Sequence, residues 1–331
     1  MMPAYYIGST GLGENLQAVP AMRALAQLHK TRVTPVIRIP HHAVFQFDDE
    51  ELAPAIGWPL HYGDGEVVMD KALLGYLKSR DQFFRLASHM RINCDISPAS
   101  RNTIISMRPS SDRLDVVRSI YTRFGGPPMV PAETFKLSCY FKGLEDIRPV
   151  RNHAVICAGS GEALRQLPLA SMELIAGACK ERGFRHITLL LAANQVVSHP
   201  IPFPFVPDLR TEKSLLSSAR VIANAGVVIT PDSGLFNLAL ALGKKCVWLE
   251  SREPAIDLIS PICMEQIVQF RKESPACNLG CRARNEDGYN QPNYPLGLAC
   301  WEKSPAPCLT YDASDAHRIS ELAVQVATNP A

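Results

Sequence analysis

The sequence predicts an α/β protein of two doubly wound halves facing across a cleft. Three observations carry that reading. Residues 5–39 read as strand, glycine-rich turn, helix and strand, and the same grammar restarts at residue 153. The third is the stretch 227–251, VVITPDSGLFNLALALGKKCVWLES, in which an apolar strand runs through a tight turn into an apolar helix and a second strand. Repeated strand–helix alternation implies parallel sheets, whose ligands bind outside the carboxyl ends of the strands.

In the first half, Tyr5, Tyr6 and Ile7 give a short strand, followed by glycines at Gly8, Gly11 and Gly13. Leu16, Val19, Met22, Leu25 and Leu28 fall at helical spacing, so a helix is expected over 15–30, with Pro20 tolerable near its first turn. Residues 33–39 form the next strand. Between 40 and 150 the pattern supports only a helix near 112–123.

The second half has a strand at 153–158, a loop at Gly159, Ser160 and Gly161, and a helix at 171–182 closed by Gly183. A leucine-rich strand follows at 186–192. The next helix takes Thr211 as N-cap and Glu212 in its first turn, and ends before Gly226. Residues 227–230 are a strand, Asp232 or Ser233 caps a helix over 235–242, and 246–249 form another strand. A last helix is expected near 315–328. The polar, proline-containing segment 145–152 reads as a linker. Domains are therefore expected at 1–150 and 151–310, the second including a cysteine-rich loop at 276–308, with 311–331 as a terminal helix.

Hydrophobic residues make up 47% of the 331 and charged residues 20%, as in ordinary globular proteins. A net charge of +2 gives no global field for nucleic acid or membrane. Nine Lys and Arg against four Asp between Lys78 and Arg123 make a solvated face or an anionic acceptor surface. The opening residues lack a signal-peptide pattern, and polar residues and prolines break the apolar region 187–206, so no transmembrane segment is expected. Ten cysteines then point to thiols or a metal site in a cytoplasmic protein. A dinucleotide reading of Gly11 and Gly13 fits poorly, because Leu16 stands where the third glycine of G-x-G-x-x-G belongs.

Three stretches carry a family resemblance in the right order. GLGENLQAVPAMRAL from Gly11 to Leu25 resembles the opening of the family 9 glycosyltransferases, the heptosyltransferase group. AGSGEALRQLP from Ala158 to Pro168 resembles their second signature, with a basic residue, Arg165, three before the proline. Asp232-Ser233-Gly234-Leu-Phe-Asn237-Leu resembles their Asp-Thr-Gly-Leu-x-His-Leu motif. The resemblance implies a GT-B fold of two Rossmann-like domains, with the acceptor on the first and a nucleotide-diphosphate sugar on the second. It implies that the final helix returns to the first domain. Glu14 stands where the family has aspartate, Asn237 where it has histidine and Arg165 where lysine is common.

The implied reaction is an inverting displacement that moves a heptose or related sugar to an acceptor hydroxyl, with no metal in catalysis. Glu14 would be the base, or simply a first-turn carboxylate on the helix dipole. Arg165, Ser160, Gly161, Asp232, Ser233, Gly234 and Asn237 would hold the donor, and Gly11 and Gly13 would shape the acceptor side. The alternative is a non-catalytic nucleotide-sugar-binding or assembly protein of the same fold. Cys277, Cys281, Cys300 and Cys308, with three, eighteen and seven residues between them, could hold a structural zinc or iron, or remain free or paired thiols. Some members of the resembled family carry such clusters, and one branch binds iron. The acceptor class (glycan, lipid-linked, protein or nucleic acid) and the oligomeric state stay open.

Overall fold

The computed structural model describes residues 4–7, 11–59, 61–63, 66–68, 84–88, 104–107, 136–159, 166–192, 195, 198–206, 211–250, 261–272 and 307–328. The chain divides into two compact units. One is Met1–Glu145 with Thr211–Leu216 and Ser260–Cys263; the other is Asp146–Arg210 with Ser217–Ile259 and Met264–Ala331. The expected helix at 112–123 lies outside the described residues.

In the first unit, β1 (Ala4–Ile7) leads into α1 (Leu12–His29), β2 (Val33–Arg38) and β3 (Ile56–Trp58). An antiparallel pair, β4 (His61–Gly63) and β5 (Glu66–Val68), precedes β6 (Phe84–Ser88) and β7 (Ile104–Met107). The five-stranded sheet has the order β3-β2-β1-β6-β7 with every pair parallel. The chain thus winds outward from β1, then crosses to its other side. α1 begins three residues before the expected start, because Gly11 serves as N-cap in an extended conformation and Pro20 is carried inside the helix. Leu16, Val19 and Met22 are fully buried. Arg23 ties α1 to the segment before β3 through Asp49 at 2.9 Å and Glu51 at 2.7 Å.

The second unit contains β8 (Val150–Cys157), α2 (Leu169–Glu181), β9 (His186–Leu190) and β10 (Phe205–Val206). α3 (Glu212–Asn224), whose residues up to Leu216 belong to the first unit, follows, then β11 (Ala225–Pro231), α4 (Gly234–Ala241), β12 (Cys246–Leu249), β13 (Ile267–Phe270) and α5 (Ala313–Thr328). Its sheet is six-stranded and wholly parallel, in the order β10-β9-β8-β11-β12-β13. Winding reverses between β8 and β11, so the loops leaving these two strands flank the position where such sheets bind ligands.

The structure differs from the sequence-based expectation at two places near β8 and β11. Val150, Arg151 and Asn152, read as linker, belong to β8. Gly226, read as a helix stop, lies within β11, where a Cβ would stand 2.3 Å from the Arg151 carbonyl oxygen. Only glycine lets the two strands approach so closely.

The core of the second unit joins Ala154, Ile156, Ile175, Leu189, Ile229 and Val247 to Ala316, Ile319, Ala323 and Val326 of α5. Those four residues recur at helical spacing, and the stripe they form packs on α2, β11 and β12. This buried face closes the second core, because the sheet there needs an apolar cover. Among the described residues no helix is long and apolar enough to cross a membrane.

Candidate functional site

Val227, Val228, Ile229 and Thr230 are fully buried, so β11 runs through the core and delivers its carboxyl end to a fixed place. Asp232 and Ser233 then make the turn into α4. Ser233 is the N-cap: its backbone is extended and its Oγ accepts the Phe236 N–H at 3.1 Å. Of the two residues able to cap, Ser233 does so, and Asp232 sits half-buried beside it. Asn237 is 5% exposed; its Nδ2 donates to the Ser233 carbonyl at 3.0 Å. Thr230 Oγ1 donates to the Pro231 carbonyl at 2.9 Å and lies 3.5 Å from Ser233 Oγ. The turn is thus held from below by buried side chains. Under it, the Phe236 ring stacks on Trp248 with 5.6 Å between centroids.

Capping uses the Phe236 N–H, whereas those of Gly234 and Leu235 have no partner among the described residues. Donors without a partner among the described residues, at the positive end of the helix dipole, are an arrangement able to receive an anion. The neighbouring loop starts where β8 ends. Gly159 adopts φ +96°, a conformation that favours glycine, and bridges Gln166, while the Leu167 N–H donates to the Ala158 carbonyl at 2.6 Å. Both ends of the loop are therefore pinned at the reversal point. Ser160, Gly161 and Arg165 occupy the loop itself and lie outside the described residues. Cys157, the last residue of β8, contacts the Thr230 hydroxyl, and burial pushes its thiol up to about 12. It is packing material rather than a nucleophile.

In the first unit, Gly11 caps α1 without a side-chain contribution, and Gly13 and Glu14 are the second and third helical residues. This first turn follows β1, where the winding of that sheet reverses. The Glu14 side chain lies outside the described residues. At the carboxyl ends of the adjoining β2 and β3, Arg38 pairs in register with Trp58. Arg38 makes no ion pair among the described residues, and the Trp58 indole nitrogen and His41 Nδ1 are buried without partners. Burial, with Arg38 and His42 adding to it, lowers the His41 pKa to about 4. Sequence reasoning missed this group, although the run RIPHHAV directly after a strand was a visible signal.

Glu250 is buried just beyond β12 and engaged at both oxygens: Oε2 accepts from Gln269 Nε2, and Oε1 pairs with Arg271 Nη1 at 3.8 Å.

Of the four expected metal ligands, Cys277, Cys281 and Cys300 lie outside the described residues. Cys308 is partly buried against the second core, beside the buried Tyr311, whose hydroxyl has no partner. Among the described residues no group of three or more His, Cys, Asp or Glu could hold a metal. The other described cysteines, Cys139, Cys157, Cys179, Cys246 and Cys263, are buried thiols that form no disulfide.

No protein-family model and no curated protein matches the chain by sequence. Solved structures do match. The ADP-heptose LPS heptosyltransferase II of E. coli superimposes with a TM-score of 0.56 at 14% identity over 98% of each chain. A family 9 glycosyl transferase from Veillonella parvula gives 0.62 at 10% identity over 97% of each. TibC, an iron-containing dodecameric heptosyltransferase solved with ADP-D-β-D-heptose, gives 0.57 at 13% identity, over 99% of this chain and 77% of that one. The chain shares the α/β fold of the heptosyltransferases and family 9 glycosyltransferases.

Proposed function

We propose that the protein is an inverting glycosyltransferase that moves a heptose or related sugar from a nucleotide diphosphate to an acceptor hydroxyl. The observation that carries the reading is the capped N-terminus of α4, whose Gly234 and Leu235 N–H groups have no partner among the described residues, at the winding reversal of the second sheet. A diphosphate there meets donors already oriented, so charge developing on the leaving group is stabilised without reorganisation. Ser160, Gly161 and Arg165 complete the donor site from the adjoining loop, with the Arg165 fork suited to phosphate oxygens. Gly11 and Gly13 leave room on the acceptor side, and Glu14 takes the acceptor proton as the hydroxyl attacks the anomeric carbon.

The displacement itself calls on no metal. A zinc or iron on Cys277, Cys281, Cys300 and Cys308 is structural in this reading; thiolates suit either ion, and Cys308 is already seated against the core. The relatives in fold named above as heptosyltransferases support the choice of sugar.

Incubating the protein with a panel of nucleotide sugars and candidate acceptors, and measuring released nucleoside diphosphate, tests the reading. Donor-dependent release that rises with one acceptor is the expected result. One observation favours a non-catalytic binding protein instead: Asn237 spends its side chain on the Ser233 carbonyl and cannot titrate near neutral pH. Donor binding without any turnover would decide for that alternative.

A further inference from the structure

We infer that Gln195 is a positioning residue for the donor loop, holding in place the segment that carries Arg165; this rests on the donor site proposed above. β8 and β9 pair in parallel with Cys157 opposite Leu190, so their exits leave the sheet side by side. The Ala158 N–H continues that ladder to the Leu190 carbonyl at 2.8 Å. Beyond this point the two chains part. β8 runs into the loop 159–166, and β9 runs into the turn at 192–195.

Gln195 ties them together again. Its backbone N–H donates to the Ala192 carbonyl at 3.0 Å, and its Oε1 accepts from the Ala192 N–H at 3.0 Å. The turn therefore fixes the carboxamide. Nε2 reaches across to donate to the Leu167 carbonyl at 2.8 Å and lies 3.8 Å from Sδ of Met172, in the first turn of α2. Leu167 is fully buried, so its carbonyl needs a donor from within the protein. The Leu167 N–H returns to the Ala158 carbonyl and Gln166 bridges Gly159, which closes the loop at its base. The Gln195 carboxamide then anchors that closed base to the end of β9. Arg165 stands two residues before the anchored carbonyl. A long guanidinium side chain loses less freedom on meeting phosphate when the backbone beneath it is already fixed.

The test is a double-mutant cycle on the intact protein, read as affinity for whichever of ADP, GDP, UDP and CDP binds most tightly. Gln195→Met keeps the length of the side chain, adds no charge and removes the carboxamide. It should weaken that diphosphate by roughly 3- to 10-fold, the usual worth of one hydrogen bond. Arg165→Ala alone should weaken it by roughly 10- to 100-fold, as for a charged contact. With Arg165 already replaced, Gln195→Met should change affinity by less than about twofold, because its effect passes through the lost guanidinium. Gln195→Leu should show the same dependence on Arg165. A purely structural tie would lower the thermal midpoint and leave diphosphate affinity unchanged, and that result overturns the inference. So does a loss that persists in full without Arg165. If Arg165→Ala costs nothing, or none of the four diphosphates binds, the donor site itself is wrong and this assignment falls with it.

Discussion

The hydroxyl oxygen of Ser233 holds the backbone N–H of Phe236 at 3.1 Å, closing the turn between β11 and α4. Ser233→Ala removes that acceptor and strands a buried N–H. Unfolding in urea should report a loss of about 1 kcal/mol, as for other N-caps, with Ser233→Thr recovering most of it. Nucleoside diphosphate affinity should fall as well, because the first turn frays. An unchanged midpoint and affinity would show that the cap has no energetic role.

Glu14→Gln keeps the size of the side chain and removes its basicity. Sugar transfer should drop by 100-fold or more, given the ~10²–10⁴-fold that general bases contribute, while donor binding stays close to wild type. Turnover within a factor of two of wild type would remove Glu14 from the mechanism.

Ile319 is fully buried on the face of α5 that packs into the second core. Ile319→Ala should cost about 2–5 kcal/mol in chemical denaturation. A variant at exposed Glu321 should serve as the control, with a change within about 0.5 kcal/mol.

Two histidines, the half-buried His41 and the buried His153, set the acid limit of stability. His41 is lowered to about 4 by burial, and His153 is also lowered, chiefly by burial. Both stay neutral in the fold below the pH at which the unfolded chain takes up protons. For His41, stability is therefore fully present above about 6.5 and is lost as pH falls towards 4. Lys244, lowered by burial to about 8, adds a rise in stability as pH climbs from there towards 10.5. Thermal melts between pH 4 and 7 should show the acid loss, and His41→Asn should flatten it. A flat profile in the wild-type protein would contradict both assignments.

Cys277, Cys281, Cys300 and Cys308 should hold about one zinc or iron per chain when the protein is purified without added metal. Cys300→Ser should abolish the metal and lower thermal stability, since binding free energy to such a site is partly folding free energy. Nucleotide affinity should change much less. A metal-free preparation of equal stability would leave four ordinary thiols.

What was legible in the sequence depended on whether local chemistry alone decides the outcome. The β-branched run before Pro231 and the capping chemistry of Asp232 and Ser233 are local, and β11 and α4 stand where they suggested. The start of β8 was obscured because Arg151 and Asn152 lie at the polar edge of the sheet and carry no apolar signal. The stripe Ala316, Ile319, Ala323 and Val326 announces a buried face but not what will cover it. Nothing in a linear pattern states strand order, so the pairing that sets the exits of β8 and β9 side by side emerges only in three dimensions. The two-residue β10 and four-residue β13 are too short to raise a periodic signal.

The closing of the second core by α5 has a consequence for synthesis. The central strand β8 is translated some 160 residues before Ala313, yet its apolar face has no complete cover until Thr328 has left the ribosome. At the usual ~5–20 residues per second, the nascent second unit spends on the order of ten seconds or more with that sheet open. Apolar surface exposed during this interval favours aggregation, so a premature stop shortly before residue 313 should yield aggregate rather than a smaller folded protein.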